Sequence, residues 1–561
     1  LQAFKSIKGY DLAQRLPLIV FDDPEQAAKT RFDYFDVVRH LYIRAWFKPY
    51  ADWCACHGIW ATGHTTEKLV HYKRQSDYFS TMGLLQVPGG DNEDYRYGFP
   101  RMIDWYNSKQ ISSIANLYDR KRVMSEAMGG GGYTIPLEEY RYGFAMLAAY
   151  GINLFVPHLF HYTTDSPPSQ ADWPPSWFYS NPYWKYFKPL ADFGRRLSFM
   201  NAQGREVCDV AILYPLTDLW LGGNPDQVDD TFYKEVQQIL LDHHINFNII
   251  DPTSLARASI RDRCITAGKG QYRILILPDI HSVQLDVLEK IENFVLAGGT
   301  VIALKSLPTA SENGRQDAAW VAGKMARLFG LHPAELRPNE YHQWNTQQTE
   351  RYTVKTAPAG GAACFTRFQS LLPDIIDNTI TPDIRVRGDN ARFLPFNHRE
   401  INATNVFLLV NDRNLAQTYF ISLRNTGKPA IWDPETGTTR PFENYRQHDG
   451  RMEMILDFQA RQSYFLIMDQ EKPDSADILL TSTDLLESEI TKTKQRVRVQ
   501  GWGQPGQNHV VTCLMNDQPV HKTWASNRKN QEIALVGTWQ FQLAPHALDD
   551  QWRSNLKEDT L

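Results

Sequence analysis

The chain reads as a multidomain α/β plus β protein, and three observations predict it. Residues 28 to 162 alternate helical periodicity with short apolar runs that end in polar residues. Residues 207 to 306 hold four strongly apolar runs separated by amphipathic stretches. From about residue 346 short runs of alternating apolar and polar residues are broken by turn residues. A length of 561 residues has room for roughly three to five domains. The expected division is 1–204, a (β/α)8-type barrel domain; 205–345, a flavodoxin-like α/β domain; 346–472, a β-sandwich; and 473–561, a second β-rich domain.

In the first region, residues 28 to 57 predict a helix, with Phe35, Val38, Leu41, Ala45 and Trp53 at helical spacing. "GIWATGH", 58 to 64, is a short strand with polar residues at its exit. After a further helix-and-strand unit, "QISSIANLYDRKRVMSE" climbs into a strand that carries Glu126, followed by four glycines. Thr134 is placed to cap the next helix, with Pro136 in its first turn and Glu138 and Glu139 at its positive end. Leu137, Tyr140, Phe144, Leu147 and Ala148 form its buried face, and Gly151 stops it. "INLFVPHLFHY" is then an apolar run tipped by His158, His161 and Tyr162. Strand, loop, helix and strand with polar exits is β/α organisation, and a (β/α)8 barrel builds its site from the C-terminal ends of several strands.

In the second region "VCDVAILYP", "INFNIID", "RILILPD" and "TVIALKS" are strands, and Leu285, Leu288, Ile291 and Phe294 mark an amphipathic helix between them. That is a doubly wound pattern. No G-x-G-x-x-G follows its first strand, so a structural or oligomerising role is expected rather than a nucleotide site. In the third region "NVFLLVND", "QSYFLIMD", "QRVRVQ" and "HVVTCLM" are sandwich strands, with a break near "DQEKPDSAD", 469 to 477.

Composition narrows the function. A net charge of -5 over this length makes no electrostatic case for nucleic acid or an anionic membrane. No apolar stretch approaches the roughly 20 residues that span a bilayer. "LQAFKSIKGYDL" lacks the apolar core of a signal peptide. Six cysteines do not make a disulfide framework. Cys54, Cys56 and His57 lack zinc-site spacing and read as thiols beside a helix end. The proline-rich "DSPPSQADWPPSWFYSNPYWKYF", 165 to 187, is a structured loop bearing Trp173, Trp177 and Trp184, of the kind that lines the mouth of a ligand site.

A carboxyl at a strand exit, beside glycines that let a substrate approach the backbone, has the geometry of a general base or nucleophile. Glu126 fits that description; pairing with an arginine or capping the next helix are its structural alternatives. His64 in "TGHTTE", and His158 and His161, suit sugar hydroxyls better than a metal. Strand spacing sets the latter two on opposite faces unless the strand ends between them. Asp91 in "VPGGDNEDY" faces the same cleft or closes a turn. Glu67, Asp94 and Asp165 read as solvated loop carboxylates. No nucleophile elbow, Walker loop or HExxH is present. Carboxylates, imidazoles and tryptophans around a barrel mouth suit carbohydrate, whose hydroxyls bind the former and whose rings stack on the latter.

Taken in order, "GYDLAQRLP", "WCACHG" leading to "TGH", "VPGGD", "SSIA", "VMSEAMGGGG", "GINLFVPHLFHY", "VAILYP", "HRE" and "WDPETG" resemble glycoside hydrolase family 106, the α-L-rhamnosidases of bacteria that degrade plant polysaccharide. The resemblance implies a (β/α)8-type catalytic domain, flavodoxin-like and β-sandwich domains, and inversion by two glutamates, with Glu126 as the base. On that reading His64, Asp91, His158, His161 and Tyr162 are expected to hold the sugar, with Trp173 or Trp177 as a wall; the resemblance also implies that calcium acts at the sugar. The substrate implied is a rhamnose-bearing pectic oligosaccharide or polysaccharide, and the location periplasmic or extracellular. The family's acid glutamate precedes the segment resembling "GYDL". Leu1 to Lys8 hold no carboxylate, so the chain is expected to carry only the C-terminal part of the barrel. A non-catalytic carbohydrate-binding remnant and a β-galactosidase-like glycosidase are the alternatives.

Overall fold

A computed structural model of the chain describes residues 1–23, 26–65, 77–92, 105–163, 165–166, 176–222, 230–336, 352–388, 390–470, 478–483, 486–493, 496–502, 507–515, 517–525, 540–541 and 559–560. Its architecture is multidomain α/β plus β, with several sheets and flanking helices.

The first region opens with a short helix, Gln2–Lys8, and a 3-10 stretch, Leu12–Ile19; helix α1 (Ala27–Tyr42) follows and continues through a π turn, Ile43–Phe47, into α2 (Lys48–Cys56). Four strands follow: β1 (Thr62–Gly63), β2 (Val87–Asn92), β3 (Met124–Ala127) and β4 (Leu154–Pro157). They pair in parallel in the order β1-β2-β3-β4. Helix α3 (Trp105–Leu117) lies between β2 and β3 in the chain, α4 (Leu137–Ala149) between β3 and β4, and α5 (Phe187–Asn201) after β4. Helix α4 buries Tyr140, Phe144, Leu147 and Ala148 as its periodicity predicts. Its N-cap is Pro136 with no side-chain cap, so Thr134 does not play that part; Glu138 and Glu139 in the first turn complement the helix dipole instead. Gly151, at φ 97°, takes the left-handed turn after the helix, which a β-carbon would strain.

The second region holds a six-stranded sheet and, between two of its strands in the chain, a small three-stranded antiparallel sheet of Ser259–Arg261, Cys264–Ala267 and Gly270–Tyr272. The strands of the larger sheet are β6 (Val210–Leu213), β7 (Phe247–Ile250), β8 (Ile274–Pro278), β9 (Thr300–Leu304), β10 (Thr353–Thr356) and β11 (Ala362–Thr366), in the order β10-β11-β9-β8-β6-β7. All pairs are parallel except β10 with β11. The four strands named from the sequence are the adjacent buried run β9-β8-β6-β7 of this sheet, because apolar runs of this kind are covered on both faces. The sheet also takes in β10 and β11, which lie beyond residue 345. Ala363, Cys364 and Phe365 are buried in register with β9, an apolar triplet too short to stand out next to sandwich strands.

Two antiparallel sheets make the third region. One runs β12 (Ile384–Arg387), β15 (Gln417–Leu423), β19 (Arg451–Phe458), β18 (Tyr445–His448). The other runs β17 (Thr439–Pro441), β16 (Pro429–Trp432), β20 (Ser463–Met468), β14 (Thr404–Val410), β13 (Phe396–Ile401) and ends on β5 (Arg205–Glu206), a strand lent by the connection out of α5. A buried core of Phe407, Leu409, Tyr419, Ile421, Met454 and Leu466 lies between them. The next strands, Ile478–Thr483, Asn508–Met515 and Gln518–Ala525, form a separate three-stranded antiparallel sheet. Most of the expected break at 469–477 lies outside the described residues.

The three regions meet at β5. Glu206 is buried there and accepts hydrogen bonds from Asn246 Nδ2 (2.9 Å) and from Asn116. Lys109 of α3, also buried, sets its Nζ 3.4 Å from the same carboxylate and 2.9 Å from Asn246 Oδ1. Burial works to raise the Glu206 carboxyl, but Lys109, Asn246, Arg399 and Asn116 outweigh it and hold it below the ordinary value.

Candidate active site

Strand β1 is held at its start. Ala61 N–H donates to Gln86 Oε1 (2.8 Å), Gln86 Nε2 donates to Ala51 O of α2 (3.2 Å), and Tyr50 donates its hydroxyl to Thr62 O (3.1 Å). His64 then leaves the end of the strand. Strand β2 passes close by: a β-carbon on Gly89 would lie 2.4 Å from Gly63 O, so only glycine fits. Tyr78 hydroxyl binds Gly89 O at 2.8 Å. Polar side chains bed the far end of β2: Asn92 Nδ2 donates to Ser125 Oγ (2.9 Å), Ser108 Oγ to Asn92 Oδ1 (3.3 Å) and Asn107 Nδ2 to Asp91 O (3.2 Å).

On β3, Ser125 and Glu126 point to opposite faces, as a two-residue period requires. Ser125 is fully buried in that bed, and Glu126 faces outward, a quarter exposed. Its register partners are Asp91 on β2 and Val156 on β4, so all three share one row. After β3 the backbone turns through left-handed positions at Met128, Gly130 and Gly132 (φ 68°, 75° and 80°), which accounts for two of the four glycines. Strand β4 ends at Pro157, and His158 N–H donates to Ala127 O (2.9 Å). The strand thus stops before both histidines, which removes the opposite-face constraint.

Three of these exits converge on Glu126. His64 Nε2 lies 2.6 Å from Oε2, and His158 Nε2 lies 3.5 Å from Oε1. One ligand atom each of His64, Asp91 and Glu126 falls within a 4.8 Å span. The hydrogen bond from His64 holds the Glu126 carboxyl below its ordinary value, against the opposing effect of burial, and His158 adds to it. At neutral pH Glu126 is therefore an ionised acceptor, suited to taking a proton and unsuited to giving one.

Other expected residues fall elsewhere. His161 is half-buried and Tyr162 fully exposed. Trp177 is 3% exposed, with its ring 4.2 Å from Tyr140 and 5.3 Å from Phe187, so it is core and presents no free face to a sugar. It acts from beneath: its Nε1–H donates to His158 O (2.8 Å) and its backbone N–H to Leu159 O (2.9 Å). Trp173, Glu67 and Asp94 lie outside the described residues, and Asp165 is exposed. The bed of Asn92, Asn107, Ser108 and Ser125 was missed from sequence; its signal was the polar run "YNSKQ" inside a helix. Calcium takes six to eight oxygen ligands. The His64, Asp91 and Glu126 group offers one imidazole nitrogen and two carboxylates. That group by itself therefore falls short of a calcium cage, and its nitrogen suits a softer divalent ion better. Cys54 is buried and Cys56 exposed, and His57 stacks on Trp53 at 4.1 Å with Nδ1 2.8 Å from Trp53 O, which uses it structurally.

A rhamnosidase structure from Novosphingobium sp. PP1Y superposes with a TM-score of 0.66 at 19% identity, over 91% of this chain and 49% of that one. A β-galactosidase from Bacillus circulans sp. alkalophilus superposes at 0.57 with 14% identity, over 79% of this chain and 68% of that one. At such identities these likenesses show the fold alone. A Formosa agariphila protein whose name proposes a β-glucuronidase is 21% identical over 497 residues, 86% of this chain and 38% of its own length. The chain thus spans less than half the length of the curated relative and of the rhamnosidase. The glycoside hydrolase family 106 model, described as alpha-L-rhamnosidase, matches residues 1–447, most of the chain, and the chain belongs to that family.

Proposed function

We propose that this chain carries the base-bearing part of an inverting glycoside hydrolase that removes terminal L-rhamnose from pectic polysaccharide outside the bacterial cytoplasm. The observation that carries the reading is Glu126, kept ionised by two imidazoles at the open end of a parallel sheet in a chain of this family. Glu126 would take a proton from a water molecule as that water attacks the anomeric carbon. His64 fixes the carboxylate and shares the developing charge, and Asp91 and His158 are placed to meet ring hydroxyls. The four parallel strands read as the C-terminal half of a (β/α)8-type barrel. The 2-1-3-4-5 order of the five parallel strands behind them reads as flavodoxin-like, and the paired antiparallel sheets as a sandwich.

An inverting pair sets its carboxyls about 6.5–9.5 Å apart and a retaining pair about 5–5.5 Å. Asp91, at under 4.8 Å between the relevant atoms, is too close to be the acid of an inverting pair. The test is rhamnose release from rhamnose-containing pectic oligosaccharides by the protein at its full natural length, with the anomer of the fresh product read by NMR. Inverted rhamnose is expected, and its release should fall about 10²–10⁴-fold in Glu126→Gln. Undiminished release in that variant would sink the assignment. Galactose release in place of rhamnose would favour a β-galactosidase-like activity, and binding without release a carbohydrate-binding remnant.

A further inference from the structure

A cavity of about 270 Å³ opens in the second region and shares no residue with the Glu126 site. Its floor follows from strand register. Thr300 of β9 stands opposite Ala362 of β11, and Cys364, two residues on, stands opposite Val354 of β10. A two-residue period sets these side chains on one face of the sheet. Ile375 of the helix Leu372–Thr379, and Ile380 at its end, extend that apolar lining, while Asn378 and Thr379 add polar groups to it.

Two arginines line the same cavity. Arg263 sits at the tip of the hairpin between Ser259–Arg261 and Cys264–Ala267, where Asp262 and Arg263 take left-handed positions at φ 49° and 65°. Its Nε donates to Gly298 O (3.1 Å) and its Nη2 to Gly360 O (3.2 Å), which fixes the guanidinium and leaves Nη1 without a partner among the described residues. A β-carbon on Gly298 would lie 2.8 Å from that Nε, so the seat needs glycine. Arg273, the residue before β8, is exposed, and its side chain has no hydrogen bond or ion pair among the described residues. No Asp or Glu lines the cavity among them either. The cavity therefore holds two positive charges and no counter-charge of its own.

We propose that this cavity binds a uronic acid, with the carboxylate on Arg263 and Arg273 and the ring on the apolar floor. The charge selects an anion, and a guanidinium matches a carboxylate through two parallel hydrogen bonds. The floor selects a sugar acid over a bare phosphate. Phosphate would satisfy the arginines and leave Val354, Ala362 and Ile375 uncovered, whereas a sugar ring lays its C–H face on them and turns hydroxyls to Asn378 and Thr379. The volume lies just below the range of about 300–1,000 Å³ that takes a drug-sized ligand, so it has room for one ring and not for a chain. An acidic sugar is disfavoured beside Asp91 and Glu126 and favoured here, which gives the two sites different ligands. That galacturonate is the natural ligand rests on the pectic reading above; the anion chemistry of the cavity does not.

The probe is D-galacturonate, titrated by calorimetry into the protein at its full natural length, with D-galactose and inorganic phosphate in parallel. Galactose, a similar ring without the carboxylate, should bind at least about tenfold more weakly than galacturonate. Arg273→Ala should weaken galacturonate binding at least about tenfold at an unchanged melting temperature, since the side chain is exposed. Asn378→Asp, which adds a carboxylate to the lining, should also weaken it, and Glu126→Gln should bind like the parent. Equal binding of galactose, or unaltered binding in Arg273→Ala, overturns the proposal. So does loss of binding in Glu126→Gln, which would put the ligand in the other site, or phosphate bound as tightly as galacturonate, which would make the cavity an inorganic anion site. Rhamnose release is scored separately: galacturonate bound here without it supports the cavity and counts against the glycosidase, and release without galacturonate binding does the reverse.

Discussion

Two glutamates in this chain live under opposite conditions. Glu206 sits where three regions join, buried, with a lysine, an arginine and four asparagines around it. Glu126 stands at a strand exit a quarter exposed, held by two imidazoles with a second carboxylate close by. Both are held below the ordinary carboxylate value, from different causes: a full cationic and amide shell in one case, a single strong hydrogen bond in the other. A depressed carboxyl therefore does not by itself mark a catalytic group. What separates the two is access, because the Glu126 side chain is a quarter exposed and Glu206 is buried.

Substitution should separate them most widely. Glu126→Gln should cost about 10²–10⁴ in sugar release while leaving the denaturation midpoint nearly unmoved, since the amide keeps the shape and the site is open. Glu206→Leu should do the reverse. It strands Lys109 in the interior without its counter-charge, at about 3–5 kcal/mol of stability, read by urea denaturation. If Glu206→Leu unfolded no more easily than the parent, the junction would not be holding the regions together.

The comparison also explains what was legible beforehand. The exits of β1 to β4 could be found because each is a local pattern, a short apolar run ending in a polar residue. His64, Asp91, Glu126 and His158 do meet there. The Glu206 junction could not be found, since its partners Lys109, Asn116, Asn246, Asn248 and Asn397 lie 40 to 191 positions away. Trp177 misled for a related reason: a tryptophan in a proline-rich loop reads as a mouth residue, but its indole N–H donates to His158 O and its ring packs against Tyr140 and Phe187, buried. Trp53 misled in the other direction. Its helical spacing predicts a core position, and it is exposed, because spacing identifies a face and not what covers it.

A subtler change probes the single hydrogen bond at Glu126. Replacing His64 by Ala removes the largest cause of the lowered carboxyl. The acid limb of the rate profile should then move to higher pH, as Glu126 takes up its proton earlier on acidification. The sign for stability follows from the same shift. A lowered folded value contributes stability above the ordinary glutamate pKa and loses it as pH falls through the folded value. His64→Ala should flatten that acid-side loss, by less than about 1 kcal/mol for so accessible a pair. An unmoved acid limb would mean that Glu126 is not the group titrating in it.

A third buried carboxyl completes the contrast by shifting the other way. Asp251 is fully buried and caps the helix that starts at Pro252, accepting from Ser254 N–H at 3.0 Å. Burial pushes its carboxyl above the ordinary value, and the neighbouring Asp77 adds to this. Here the folded state binds its proton more tightly than the unfolded chain does. Stability from this group is therefore complete below the unfolded value, near 3.9, and is lost as pH rises through the folded one. Asp251→Asn keeps an acceptor for the cap and removes the charge. The slope of stability against pH above about 4 should become more positive in the variant, with the gain growing toward neutral pH. If parent and variant gave parallel curves, Asp251 would be ionised in the fold already, and burial alone would not decide the charge of an acid in this protein.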